Sequence, residues 1–121
     1  MSNEDFKREW GMEITWADEE NYCGKFLVFN NENQKTPFHM HNDTSKTWFV
    51  TVGKFLIRWI NTQDGTVFQE EVNEGGVFKV PAGKPVSLES LMDNSTIVQV
   101  SNQNDSKDYL TILSANLIGS N

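Results

Sequence analysis

Short runs of alternating apolar and polar residues, each cut off by turn formers, leave this chain few options other than antiparallel sheet. Residues 13–16 and 24–29 read as strands on either side of an acidic turn over 18–21. Further strand patterns cover 46–52, 54–60, 66–72, 77–80, 86–91, 96–100 and 109–113. With the segment around His39, that makes roughly ten short strands. Between 54–60 and 66–72, the dipeptide Asp64-Gly65 suits a tight hairpin. No stretch carries sustained helical periodicity, so a sandwich or barrel is expected rather than an α/β fold. The tail 114–121 is expected to be loosely held.

The chain contains two histidines, His39 and His41, at alternate positions. On an extended strand this spacing turns both imidazoles toward one space. Pro37 can begin an edge strand, and the β-branched and aromatic run 47–52 follows. A His-x-His pair is one way for a sheet to offer two nitrogen ligands to an ion, yet a metal site needs further ligands. Trp48 shares the parity of Lys46, and Trp48, Phe55, Ile57 and Trp59 either line an apolar pocket or fill the core. For Phe6, Trp10, Trp16 and Phe29, core filling is the simpler expectation and an interface the alternative.

A length of 121 residues suits one domain, 1–121, able to bury a core without disulfides. The formal charge of −7, with no Lys/Arg cluster, argues against nucleic acid as a partner. Cys23 is the sole cysteine and the start of the chain is polar and acidic, so a cytoplasmic, reducing setting is expected. Cys23 itself reads as a buried thiol, not a nucleophile. No apolar run approaches the roughly 18 residues needed to cross a bilayer, so no membrane association is expected. Glu19-Glu20 and Glu70-Glu71 read as solvated surface, and Gly75-Gly76 as a turn without the lysine and helix of a phosphate loop.

Two spaced motifs carry a family resemblance. The first, about 38–53, places His39, His41, Lys46 and Gly53 in order; the second, about 75–90, places Gly75, Pro81 and Gly83. This pattern resembles the cupin superfamily, whose first motif has two histidines, a glutamate and a glycine, and whose second has glycine, proline and glycine. The opening Arg8-Glu9-Trp10-Gly11, leading into Glu13-Ile14-Thr15-Trp16, is similar to the start of cupin domains related to type II mannose-6-phosphate isomerase. The resemblance implies an all-β double-stranded β-helix, a jelly-roll barrel.

Cupins often hold one divalent metal with three histidines and a glutamate. Here the family's glutamate corresponds to Lys46 and its third histidine to Val86, so only His39 and His41 remain as metal ligands by this transfer. An ammonium within about 4 Å of a divalent ion would repel it by roughly 8 kcal/mol at an effective dielectric near 20. A long lysine can relieve this by swinging toward solvent and capping the barrel mouth. Asp43, Glu89 or Glu13 would replace the missing carboxylate if turned inward, although strict alternation sets Glu89 opposite to Val86.

The expected function is a small-molecule-binding cupin with a degenerate metal site. Its ligand is expected to be a sugar, sugar phosphate or organic acid, held by His39, His41, Lys46, Trp48 and Val86. Two alternatives stay open. One is a metal-dependent sugar isomerase, epimerase or dioxygenase holding Fe, Mn, Ni or Zn through His39, His41 and a non-standard ligand. The other is a structural or regulatory barrel that forms a homodimer. No cofactor is firmly implied and no catalytic residue is assigned.

Overall fold

A computed structural model describes residues 6–112. Its strands are β1 (Phe6–Arg8), β2 (Gly11–Asp18), β3 (Cys23–Phe29), β4 (His39–His41), β5 (Lys46–Val52) and β6 (Lys54–Ile60). They continue as β7 (Val67–Asn73), β8 (Val77–Val80), β9 (Val86–Ser90), β10 (Ser95–Ser101) and β11 (Tyr109–Thr111). A single 3₁₀ turn, Asp105–Asp108, precedes β11 among the described residues. The six-stranded sheet runs β1-β2-β3-β10-β5-β8 and the five-stranded sheet β11-β4-β9-β6-β7. Every pairing is antiparallel, and the two sheets form a jelly-roll barrel.

The core lies between the sheets. Phe29, Trp48, Val50 and Ile97 from the six-stranded sheet meet Phe55, Ile57, Val86 and Leu88 from the five-stranded one. Burying each such side chain contributes about 1.5–3 kcal/mol. Phe55 stands edge-on to Phe29, and Trp10 stacks on the other side of Phe29 at 4.5 Å. Trp10 and Phe29 thus fill the barrel as expected, whereas Trp16 is exposed on the outer side.

The motif glycines serve as tight corners. Gly53 joins β5 to β6 at φ +84°, and any Cβ there would collide with Ser95. Gly83, also left-handed, donates its N–H to the carbonyl of His41 at 2.7 Å, tying the second motif to the histidine strand. The β6–β7 hairpin is present in the expected place, closed by residues 61–66 with Gly65 N–H donating to Asn61 O at 2.7 Å.

Two elements had no counterpart in the sequence reading. β1 is only three residues long, too short to show a period, and the 3₁₀ turn sits in polar sequence held by Asn104, whose side chain accepts from Ser106 N–H. The expected tail 114–121, and the last residue of the strand expected over 109–113, lie outside the described residues. Cys23 is buried, and burial pushes its thiol up to about 11, which disfavours the thiolate.

Candidate functional site

Strand alternation puts His39 and His41 on the inner side of β4, where both are buried. His39 Nδ1 lies 2.9 Å from the carbonyl oxygen of Pro37. A carbonyl only accepts, so the proton sits on Nδ1 and Nε2 presents a lone pair inward. Tyr109 stacks on the same ring at 5.1 Å. His41 Nδ1 faces Asp108 Oδ1 at 3.3 Å, an ion-pair distance without hydrogen-bond geometry. That carboxylate favours the proton on Nδ1, leaving the Nε2 lone pair of His41 to face inward as well.

Both lone pairs point at Lys46. Its Nζ lies 3.1 Å from His41 Nε2, 3.5 Å from His39 Nε2 and 3.3 Å from Asp105 Oδ2. An ammonium has three donors, and these three acceptors use them all. Of the two placements open to Lys46, the inward one is found and not the capping of the barrel mouth: the side chain is buried, and what holds it is a carboxylate and two imidazoles. Burial, and then the Lys46 charge, drive His39 down to about 3 and push His41 in the same direction. Burial also lowers the pKa of Lys46, against the pull of Asp105.

A second buried lysine completes the polar interior. Lys25, on the inner side of β3, places Nζ 2.6 Å from Glu13 Oε2 and 2.7 Å from Asp105 Oδ1. Burial works to lower its pKa, but the two carboxylates outweigh that and raise it. Asp105 also accepts from Gln99 Nε2 at 2.9 Å, while Gln99 Oε1 accepts from Trp48 Nε1 at 2.8 Å. Burial alone would raise the Asp105 pKa; Lys46 and Lys25 overcome it and hold the carboxyl well below the usual carboxylate range. At the outer end, Arg8 Nη2 lies 3.3 Å from Glu13 Oε1.

This cluster borders a cavity of about 300 Å³. Its polar wall includes Arg8, Glu13, His39, Lys46, Gln99 and Asp105, and its apolar wall includes Trp10, Trp48, Leu27, Leu88 and Tyr109. Of the residues nominated from sequence, His39, Lys46 and Trp48 reach the cavity. His41 is close by but off its wall, and Val86 is fully buried in the core opposite His39. Of the three carboxylates considered, Glu13 does turn inward, Glu89 faces outward to Arg58 at 2.9 Å, and Asp43 is exposed in the 42–45 connection.

Sequence reasoning missed Lys25, Gln99 and Asp105. Lys25 had a usable signal, since it shares parity with Leu27 and Phe29 and so had to point inward, where an ammonium requires a carboxylate. Asp105 had none, because a polar turn gives no periodicity to read.

The divalent-metal set that the resemblance implies does not fit these residues. No group of three or more His, Cys, Asp or Glu side chains able to hold a metal ion occurs among the described residues. The two imidazole lone pairs are committed to an ammonium, Val86 has none to offer, and Asp105 is shared between two lysines. An ion bound to both imidazoles would have to displace Lys46 Nζ or meet its repulsion at close range.

Comparisons with known proteins agree with the architecture. KdgF from Halomonas sp. superposes with a TM-score of 0.68 at 14% identity, covering 79% of this chain and 82% of that one. A single-site variant of oxalate decarboxylase from Bacillus subtilis gives 0.78 at 14% identity, covering 93% of this chain and 34% of the other. The capsular polysaccharide assembling protein CapF from Staphylococcus aureus gives 0.76 at 16%, covering 89% and 33%. The chain thus spans about a third of the length of the last two. No curated protein matches. Residues 17–118 match the profile of the cupin family, and with the barrel, the paired inward histidines and the corner glycines in place, the chain belongs to that family.

Proposed function

We propose that this cupin binds a small polar molecule of the sugar, sugar-phosphate or organic-acid class, without a metal. The observation that carries this reading is the lining of the cavity, where Glu13, Lys46, Gln99 and Asp105 offer donors and acceptors beside the rings of Trp10, Trp48 and Tyr109. A cavity of about 300 Å³ is at the small end for ligand pockets and suits a monosaccharide-sized molecule. Trp10, Trp48 and Tyr109 supply flat faces for its C–H surface. Arg8, Trp10 and Glu13 come from the opening segment that resembles mannose-6-phosphate isomerase cupin domains, which adds support for a sugar skeleton.

Calorimetric titration with gluconate, glucuronate, glucose and glucose 6-phosphate tests this. Saturable binding of at least one of these four is expected. No binding of any of them would overturn the reading.

A second copy of this chain is the proposed partner, on one specific observation. Register places Ile14, Phe26, Val98, Phe49 and Val77 in one apolar row across five strands, on the outer face of the six-stranded sheet. Five strands at about 4.8 Å spacing make this face roughly 24 Å wide, and seven-residue strands make it about 23 Å long, so it supplies a large part of the ~800 Å² that each partner of a stable dimer buries. The lone buried Cys23 fits a reducing compartment. No helix among the described residues is long and apolar enough to cross a membrane.

A further inference from the structure

We infer that the ammonium of Lys46 is the resident cation of this cage, an internal replacement for a metal ion, with Asp105 supplying the carboxylate from outside both sequence motifs. The inference needs no ligand and stands apart from the proposed small-molecule binding.

Three acceptors of metal-ligand type surround the Lys46 nitrogen at 3.1–3.5 Å, a cage wider than metal bonds that must contract by about 1 Å to hold an ion: His39 Nε2, His41 Nε2 and Asp105 Oδ2. Two imidazoles and a carboxylate with open positions are the donor set of several non-haem metal sites. Their outer partners match that purpose. The Nδ1 of a metal-binding histidine is ordinarily held by a carbonyl or carboxylate, which aims the Nε2 lone pair inward. Here Pro37 O holds His39 and Asp108 faces His41. What stands at the focus is a positive nitrogen on a four-carbon stem rooted in β5. Because His39 and His41 belong to the five-stranded sheet and Lys46 to the six-stranded sheet, the cage joins the two sheets much as a shared ion would. Asp105 adds the 3₁₀ turn to the same point.

One consequence can be checked directly. Truncating the stem in Lys46→Ala leaves two neutral lone pairs and a carboxylate aimed at a common focus, and Lys46→Glu adds a second carboxylate there. Either change should turn the cage into a metal site. Co²⁺ and Zn²⁺ titrations by calorimetry, with the Co²⁺ visible spectrum as a reporter of nitrogen ligation, compare wild type with both variants. The wild type is expected to take up no Co²⁺ at this cage and to melt at the same temperature with or without EDTA. Lys46→Glu is expected to take up one equivalent, tighter than wild type by a factor on the order of 10³. Adding His39→Ala to that variant should abolish the uptake.

Stoichiometric, His39-dependent binding by the wild type would overturn the inference, as would folded variants, verified by circular dichroism, that bind no metal. Should the variants fail to fold, ¹⁵N spectra of the wild-type imidazoles decide. Nδ1–H tautomers in both rings, unmoved by excess Zn²⁺, support the caged ammonium. Shifts of both Nε2 signals on adding Zn²⁺ overturn it.

Discussion

The two sheets of this barrel turn opposite characters outward. The outer face of the six-stranded sheet is apolar, with Phe26, Phe49 and Val77 exposed by 37%, 42% and 54%. The outer face of the five-stranded sheet carries Lys54, Arg58, Gln69, Glu71 and Glu89, with Lys54 near Glu71 and Arg58 bonded to Glu89. Inside, the two sheets differ in where charge is held. The five-stranded sheet contributes Phe55, Ile57, Val86 and Leu88 together with His39 and His41, whereas the six-stranded sheet sets Glu13, Lys25, Lys46 and Gln99 beside Leu27, Phe29, Trp48, Val50 and Ile97. Alternation fixes which residues share a face; it does not by itself say which face water sees. A sheet with charges on its inner face is tolerable only if those charges satisfy one another, to which Asp105 contributes bonds to both lysines, and its outer apolar face costs least when another surface covers it.

The largest expected effect tests the inner half of that contrast. Asp105→Asn removes the carboxylate shared by Lys25 and Lys46, leaving buried ammonium charge without its principal counter-charge. Breaking such a buried pair from one side costs about 3–5 kcal/mol. Chemical denaturation should show that loss, with Lys25 and Lys46 showing lowered pKa values by NMR. A loss under about 1 kcal/mol would mean the cluster is solvated rather than sealed.

Acid should strain the same interior. The His39 pKa is about 3 in the fold, against an ordinary value near 6.5, so below that ordinary value the unfolded chain binds a proton the fold refuses. The stabilisation is thus fully present above about pH 6.5 and is lost as pH falls toward 3, at up to ~1.4 kcal/mol per pH unit. Asp105, also shifted down, adds a loss in the same direction once pH drops below the ordinary carboxylate range. His39→Gln should flatten the upper part of the profile; an unchanged slope between pH 6 and 4 would remove His39 from the account.

The outer half of the contrast is tested by a charge on the apolar row. Phe49, between Val98 and Val77 in that row, is already 42% exposed, so in Phe49→Glu the fold should change by less than about 1 kcal/mol. Its effect should fall on assembly. Sedimentation at micromolar concentration is expected to give a dimer for the wild type and a monomer for this variant, because two like charges would meet across a two-fold axis. A wild type that stays monomeric removes the second copy as the covering partner.

How much of this was legible beforehand depends on the length of the run that carries the signal. Strands such as 46–52 and 54–60 alternate long enough to fix both their presence and their inward residues, and the spacing of Gly53, Gly75, Pro81 and Gly83 located the corners. The inward pairing of His39 with His41, and of Lys46 with Trp48, followed from parity alone. What parity could not supply was the far end of each contact. Asp105 lies 59 residues beyond Lys46 and 80 beyond Lys25, in a four-residue turn whose orientation is set only by the closed barrel. Val86 illustrates the converse: its place in the motif suggested a ligand position, yet a fully buried valine paired with His39 and Trp59 serves packing.

The smallest effect is the most direct control on the comparison. Arg58 and Glu89 form an ion pair at 2.9 Å on the outer face of the five-stranded sheet, as short as several bonds inside the barrel. Distance alone would rank it with the contacts of Asp105. Its partly exposed setting, however, lets water solvate either partner once the other is gone, so Glu89→Gln should cost only about 0.2–1 kcal/mol. Raising salt should shrink even that difference, while leaving the Asp105→Asn deficit nearly intact, because counter-ions screen the outer pair and do not reach the inner one. Equal salt sensitivity of the two deficits would mean that the inner charges are wet and that the two sheets do not differ in the way their faces suggest.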